Sequence, residues 1–241
     1  MRDFIPEIKS ATFAIAQGDK IIGTCFISDT NNCIITARHV VFDRHSNKIS
    51  SLKILDHQNK KHDFIIVGHD PGSDIAILES HSLNAENKLE MGDYSDIQEG
   101  DEILLCGFPF GSKYHVTHKG MISAKSIING RESIQIDASV NQGNSGGPCI
   151  IIMDNKIKVV GVIVTRLVGA NLDVFHDNHK QLNASLQKEK DDTKKGWFKV
   201  FMTLFNVFSP ILAELDRFIN VGFGEAVSIN YVKNWIEHNQ A

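Results

Sequence analysis

From residue 10 to about residue 165, apolar residues fall in short runs separated by turn residues, the pattern of β-strands rather than helices. The runs are Thr12 to Ala16, Ile21 to Ser28, Cys33 to Thr36, Leu52 to Leu55, Phe64 to Gly68 and Asp74 to Leu78. After Gly100 come Glu102 to Gly107, Ile134 to Asp137, Cys149 to Met153 and Lys158 to Val164. Gly18-Asp19, Asp29 to Asn32, Pro71-Gly72 and Asn129-Gly130 supply connecting turns. Many short strands without intervening helices predict an all-β barrel or sandwich. No fixed-period repeat occurs, which argues against propellers and solenoids.

The pattern changes after Thr165. Residues 171 to 196 are polar and charged, with the run Lys188 to Lys195 reading as a solvated loop or helix face. Trp197, Phe198, Phe201, Leu204, Phe205, Phe208, Ile211, Leu212 and Leu215 then recur at helical spacing, an amphipathic helix or helix pair broken near Pro210. Lys199, Asn206 and Pro210 interrupt a stretch already short for a membrane span. A last strand is predicted over Ala226 to Ile229, followed by a helix from about Asn230 to His238 with Asn230 as its N-cap.

Composition adds little: 42% hydrophobic and 22% charged residues are ordinary for a folded domain. A net charge of -4 gives no reason to expect a nucleic acid or an acidic membrane as partner. The four cysteines, Cys25, Cys33, Cys106 and Cys149, are irregularly spaced and contain no CxxC. The first ten residues hold no continuous apolar run of the secretory kind. Both features predict free thiols and a cytoplasmic location.

The sharpest chemical feature is Gln142-Gly143-Asn144-Ser145-Gly146-Gly147-Pro148. A serine hydroxyl needs a base to become a nucleophile and backbone N–H groups to hold the oxyanion it creates. Glycines around Ser145 let the chain turn sharply and present such groups. Alone, this would be a glycine-rich turn with an exposed serine. Upstream, however, His39 follows the apolar stretch Ile35-Thr36-Ala37, and Asp74 opens another before Ile75-Ala76-Ile77-Leu78. A histidine suits the base, and an aspartate on its other ring nitrogen would hold its tautomer.

These residues resemble the trypsin-like serine peptidases, especially their HtrA (Deg) branch. Gly23 to Ser28 is similar to the strand before the family's catalytic histidine, and Gly107-Phe108-Pro109-Phe110-Gly111 to its Gly-x-Pro-Phe-Gly segment. Ile136 to Pro148 resembles its nucleophile region, and Gly222 to Asn230 its final strand. The resemblance implies two antiparallel β-barrels of the chymotrypsin-like kind. It places the first barrel over residues 10–95 and the second over 100–165 plus 221–241, with a polar and helical insertion at 166–220. It further implies a serine endopeptidase working through an acyl-enzyme, with catalytic residues His39, Asp74 and Ser145. The N–H groups of Gly143, Asn144 and Ser145 would line the oxyanion hole; Ser139, Val140, Ile163, Val164 and Thr165 would line the substrate pocket. Ser139 at the pocket base is not acidic, so small or medium apolar side chains are the expected preference.

The chain departs from the digestive-type pattern in carrying Asn144 where those enzymes carry aspartate, which removes the ion pair formed by a newly cut N-terminus. No cysteine directly follows His39, and the sequence beyond residue 240 offers no PDZ domain. The expected partners are a protein or peptide substrate and a second copy or regulatory protein meeting 197–219, without nucleic acid or membrane. Conditional activation, centred on the insertion, is expected. No cofactor or metal is expected, although His115-x-x-His118 and His176-x-x-His179 carry a ligand-like spacing. Two rival functions remain: a non-catalytic peptide-binding module on this fold, and an esterase on another. The order His, Asp, Ser and the lack of a Gly-x-Ser-x-Gly elbow oppose the esterase.

Overall fold

The structure is a computed structural model. It describes residues 2–84, 86–164 and 223–239 and the single positions Gly196, Thr203, Leu204 and Phe208. Met1–Arg166 with Val221–Ala241 forms one compact unit, and Leu167–Asn220 forms another. The amphipathic stretch 197–219, His176, His179 and Thr165 therefore lie outside the described residues, apart from those single positions.

A short helix, α1 (Ile5–Ser10), leads into β1 (Thr12–Gln17), β2 (Lys20–Ile27) and β3 (Ile34–Ala37). A single helical turn, α2 (Arg38–Val41), precedes β4 (Leu52–Leu55), β5 (Lys61–His62), β6 (Ile65–Asp70) and β7 (Ile75–Glu79). These strands pair antiparallel in the order β5-β4-β1-β2-β3-β7-β6 and curl into a half-barrel. Phe13, Ile15, Phe26, Ile35, Ile54 and Ile77 fill its core.

The second sheet comprises β8 (Glu90–Met91), β9 (Glu102–Gly107), β10 (Val116–Ile128), β11 (Arg131–Asp137), β12 (Pro148–Met153), β13 (Lys156–Val164) and β14 (Phe223–Ser228). Its order is β12-β9-β10-β11-β14-β13-β8, and an added β12–β13 pairing closes six strands into a barrel. Ile103, Leu105, Ile122, Ile134, Ile136 and Val160 form its core. The architecture is the expected chymotrypsin-like double barrel, with the first sheet left open between β5 and β6.

Strand β10 is the longest element, yet hydropathy does not reveal it. Of its 13 residues only Ile122 is fully buried, so no apolar run marks it. Its pairing with β9 and β11 makes it a strand. The turn into β11 uses Asn129 and Gly130 with φ of 52° and 78°, the doubly positive geometry that suits a twisted hairpin.

The C-terminal helix, α3 (Asn230–Asn239), differs from expectation at its start. Asn230 is its first residue rather than its cap. The Ser228 hydroxyl accepts the Asn230 N–H at 3.1 Å. Asn230 turns its amide onto Glu132 Oε2 at 3.1 Å instead. Val232 and Ile236 bury the apolar face. Among the described residues, no helix is long and apolar enough to cross a membrane.

Candidate active site

His39 is presented by α2 rather than by a strand end. Buried β3 runs straight into this one turn, and Val40 and Val41 anchor it in the core. Val40 packs so closely on Gly23 that a Cβ there would lie 2.5 Å from Val40 Cγ1. With its neighbours pinned inward, the His39 side chain is left 42% exposed.

Asp74 sits just ahead of β7 with φ of 58°, a left-handed conformation that aspartate tolerates better than most residues. This geometry lets one residue grip α2 three times. Its carbonyl accepts from Arg38 N at 2.7 Å, Oδ1 accepts from His39 N at 3.0 Å, and Oδ2 lies 2.7 Å from His39 Nδ1. A carboxylate can only accept, so Nδ1 carries the proton and Nε2 of the neutral ring keeps its lone pair.

The loop bearing Ser145 is held from several sides. Its own turn closes through Asn144 N to Asn141 O and Gly147 N to Asn144 O, both 2.9 Å. Strand β13 grips it through Gly146 N to Ile163 O at 2.7 Å and Ile163 N to Gly147 O at 2.8 Å. Strand β2 grips it through Thr24 N to Ser145 O at 2.8 Å and the Thr24 hydroxyl to Gly143 O at 2.7 Å. Gly143 and Gly146 have φ of 100° and 85°. A Cβ on Gly143 would meet Phe108 O at 2.2 Å, and one on Gly146 would meet Thr24 O at 2.1 Å. Only glycine fits either place. The Gly146 position also abuts Ala37 N, two residues before His39, so the Ser145 loop lies against the lead-in to α2.

The predicted oxyanion residues differ in what their backbones do. The Asn144 N–H is spent on Asn141 O, so it points into its own turn and not toward a substrate oxygen. The expected share of Asn144 in the hole is corrected accordingly. Its side chain is buried too, with Nδ2 3.5 Å from Ser139 O.

The predicted substrate pocket also changes. Ser139 is exposed, but Val140, Ile163 and Val164 are 3%, 1% and 0% exposed and belong to the core. Val140 packs on Gly224, and the Ile163 backbone is committed to the Ser145 loop. The side chains of Val140, Ile163 and Val164 support the site from behind rather than lining an open pocket.

Thr24, fully buried, is a residue whose role sequence reasoning missed. Besides holding Gly143, its hydroxyl accepts from Phe108 N at 3.2 Å, and its carbonyl accepts from Thr36 Oγ1 at 2.7 Å. Phe110, 63% exposed with φ of 55°, donates its N–H to Gln142 O at 2.6 Å. No local signal separates such a threonine from an ordinary strand residue.

His115 and His118 do not converge. His115 Nε2 lies 2.6 Å from Thr12 O, and its ring packs on Phe108. His118 sits on β10 opposite Leu105. All four cysteines are free thiols. A polar cavity of about 730 Å³ is lined by Gly72, Ser73, Arg131, Glu225, Asn230 and Lys233; none of His39, Asp74 and Ser145 borders it.

A double barrel that brings a histidine, an aspartate and a glycine-held serine loop together is the architecture of a serine peptidase. Residues 23–162 match the trypsin-like peptidase domain, and the chain belongs to that family. Its relatives are of the HtrA kind. It is 35% identical to a protein of Chlamydia trachomatis named "Probable periplasmic serine endoprotease DegP-like", over 62% of this chain and 30% of the relative. A Bartonella henselae protein of the same name is 35% identical over 93% of this chain and 44% of its own length. The chain thus spans less than half the length of these relatives. In three dimensions it resembles the HtrA-type protease AlgW solved with a tripeptide, at a TM-score of 0.65 and 18% identity, covering all of this chain and 64% of that one. It also resembles the active form of a protease from M. tuberculosis, at a TM-score of 0.62 and 18% identity over 98% of this chain and 84% of that one.

These relatives overturn the cytoplasmic location expected from the N-terminal residues and the cysteine spacing. Proteins similar over most of this chain are named periplasmic. Cysteine spacing along a sequence does not report the compartment in which a chain folds.

Proposed function

We propose that this chain is an endopeptidase that cleaves proteins through an acyl-enzyme, with His39 as general base, Asp74 as its orienting partner and Ser145 as nucleophile. The observation that carries this reading is the double grip of one carboxylate on His39, at 2.7 Å to the ring and 3.0 Å to the backbone. That grip supports an Nε2 base ready to take the Ser145 proton and return it to the leaving amine. The N–H groups of Gly143 and Ser145 are assigned to the oxyanion hole, since the glycine-dependent turn is held there by the Thr24 hydroxyl and Phe110 N.

Activation by a newly cut N-terminus is not part of this reading, because Asn144 carries no charge for an ammonium to meet. Control is assigned instead to the Gln142–Gly143 backbone, which Phe110 N and the Thr24 hydroxyl hold. Ser139 supports small or medium apolar side chains at the cleavage site; a clear preference for basic residues in a peptide library refutes that assignment. The relatives' names support work in the periplasm.

Labelling with a fluorophosphonate tests the core of the reading. The expected result is an adduct on Ser145 that disappears in Ser145→Ala, with turnover lowered about 10⁴-fold or more and folding unchanged. An intact protein that never labels at Ser145 would instead be a peptide-binding module.

A further inference from the structure

A hydrogen-bonded aspartate, histidine and serine lie in the first barrel, apart from the residues described above. Asp56 follows β4. Its Oδ1 accepts the backbone N–H groups of Gln58 and Lys60, both at 2.9 Å. Its Oδ2 lies 2.9 Å from His62 Nε2. The other ring nitrogen, His62 Nδ1, lies 3.0 Å from Ser82 Oγ. His62 is 3% exposed, whereas Ser82 is exposed on the loop after β7. The Ser80 hydroxyl ties the start of that loop to Asp63 O at 2.6 Å.

The hydrogen-bonding chemistry settles the proton positions. Burial alone would raise the Asp56 carboxyl, but hydrogen bonds from His62, Lys60 and Gln58 outweigh it and hold the group below its ordinary value. Asp56 is therefore a carboxylate near neutrality and can only accept. In its neutral form the ring carries its proton on Nε2, which leaves Nδ1 as an acceptor facing the Ser82 hydroxyl. The chemistry of His39 and Asp74 recurs here with the two ring nitrogens exchanged. A buried ring held at both ends also spends no entropy on reaching its reactive orientation.

We propose that Ser82 is a second nucleophilic serine, activated by His62 and Asp56 to accept an acyl group from activated esters. In this step Ser82 Oγ attacks the ester carbonyl and its proton passes to His62 Nδ1. The carbonyl's bond to the leaving oxygen breaks, and the departing phenolate recovers the proton. The products are an acyl-Ser82 and a phenol, so the reaction is a stoichiometric modification. It does not depend on Ser145.

The test uses the Ser145→Ala protein and p-nitrophenyl acetate, with sites and rates read by peptide mass spectrometry. General-base assistance is worth about 10²–10⁴-fold, so Ser82 should acetylate at least about 10²-fold faster than exposed Ser46 and Ser51. His62→Asn should bring Ser82 down to their rate, with circular dichroism reporting the fold. Because His62 is buried, Asp56→Asn serves as the second variant. Its side-chain carbonyl still closes the turn, while its amide donates to Nε2 and moves the ring proton onto Nδ1, removing the base. Acetylation of Ser82 no faster than Ser46, or a Ser82 rate unaffected in a folded variant, overturns the proposal.

Discussion

Replacing Thr24 with valine removes one hydroxyl from a fully buried position and barely changes the side chain's shape. That hydroxyl is the shared partner of the Gly143 carbonyl at 2.7 Å and the Phe108 N–H at 3.2 Å. Both Gly143 and Phe108 are buried, so solvent cannot replace the lost partner. An unsatisfied buried polar group costs about 1–3 kcal/mol, which puts the pair at about 2–6 kcal/mol. Denaturant unfolding of parent and variant measures this directly. Thr24→Ser keeps the hydroxyl and should lose only about 1 kcal/mol, the value of a buried methyl group. Turnover should fall further than stability implies. Gly143 is the residue whose N–H is assigned to the oxyanion, and losing one such donor costs about 10²–10³-fold in kcat. A Thr24→Val protein within about 1 kcal/mol of the parent and equally active would refute both the hydrogen-bond accounting and the assignment of Gly143.

Asp74→Asn should fold normally, because asparagine also accepts a φ of 58°, yet lose about 10⁴-fold in kcat as the histidine takes the wrong tautomer; steady-state kinetics measure it. Burial pushes the His115 imidazole down to about 4, against the hydrogen bond its Nε2–H donates to the Thr12 carbonyl, which favours its charged form. The unfolded chain therefore binds a proton that the fold refuses between about pH 6.5 and 4. Stability from this group is complete above that window and is lost as pH falls through it, so urea midpoints of His115→Phe should depend less steeply on pH there. Burial pushes the Cys106 and Cys149 thiols up to about 11 and about 12 and raises Cys25 as well. Iodoacetamide should spare these three in the native protein and touch only half-buried Cys33, slowly; rapid native alkylation of Cys149 would contradict the packing.

Sequence and structure agree where one local segment carries its own reason. Ile34 to Ala37, Glu102 to Gly107 and Pro148 to Met153 are strands because each is a run of buried side chains between turns. The serine loop was legible because two of its residues need a backbone that only glycine adopts. Strand β10 was not, since pairing on both edges, rather than apolar side chains, makes it a strand. Ser228 and Asn230 exchanged roles at α3 because Glu132, 98 residues away, claims the asparagine amide.

The sequence by itself therefore determined an all-β chain with its chemical groups in the order histidine, aspartate, serine, because apolar spacing and glycine placement are local properties. Tertiary structure alone decided that His39 rides on a helical turn and that Asp74 holds it from a left-handed residue. It also turned the Asn144 N–H inward, buried Ile163 and Val164 behind the site, and made Thr24 the link between loop and barrel. Those outcomes depend on hydrogen bonds between residues as far apart as Thr24 and Gly143. A donor in one strand acquires its acceptor only when both sheets have packed around it.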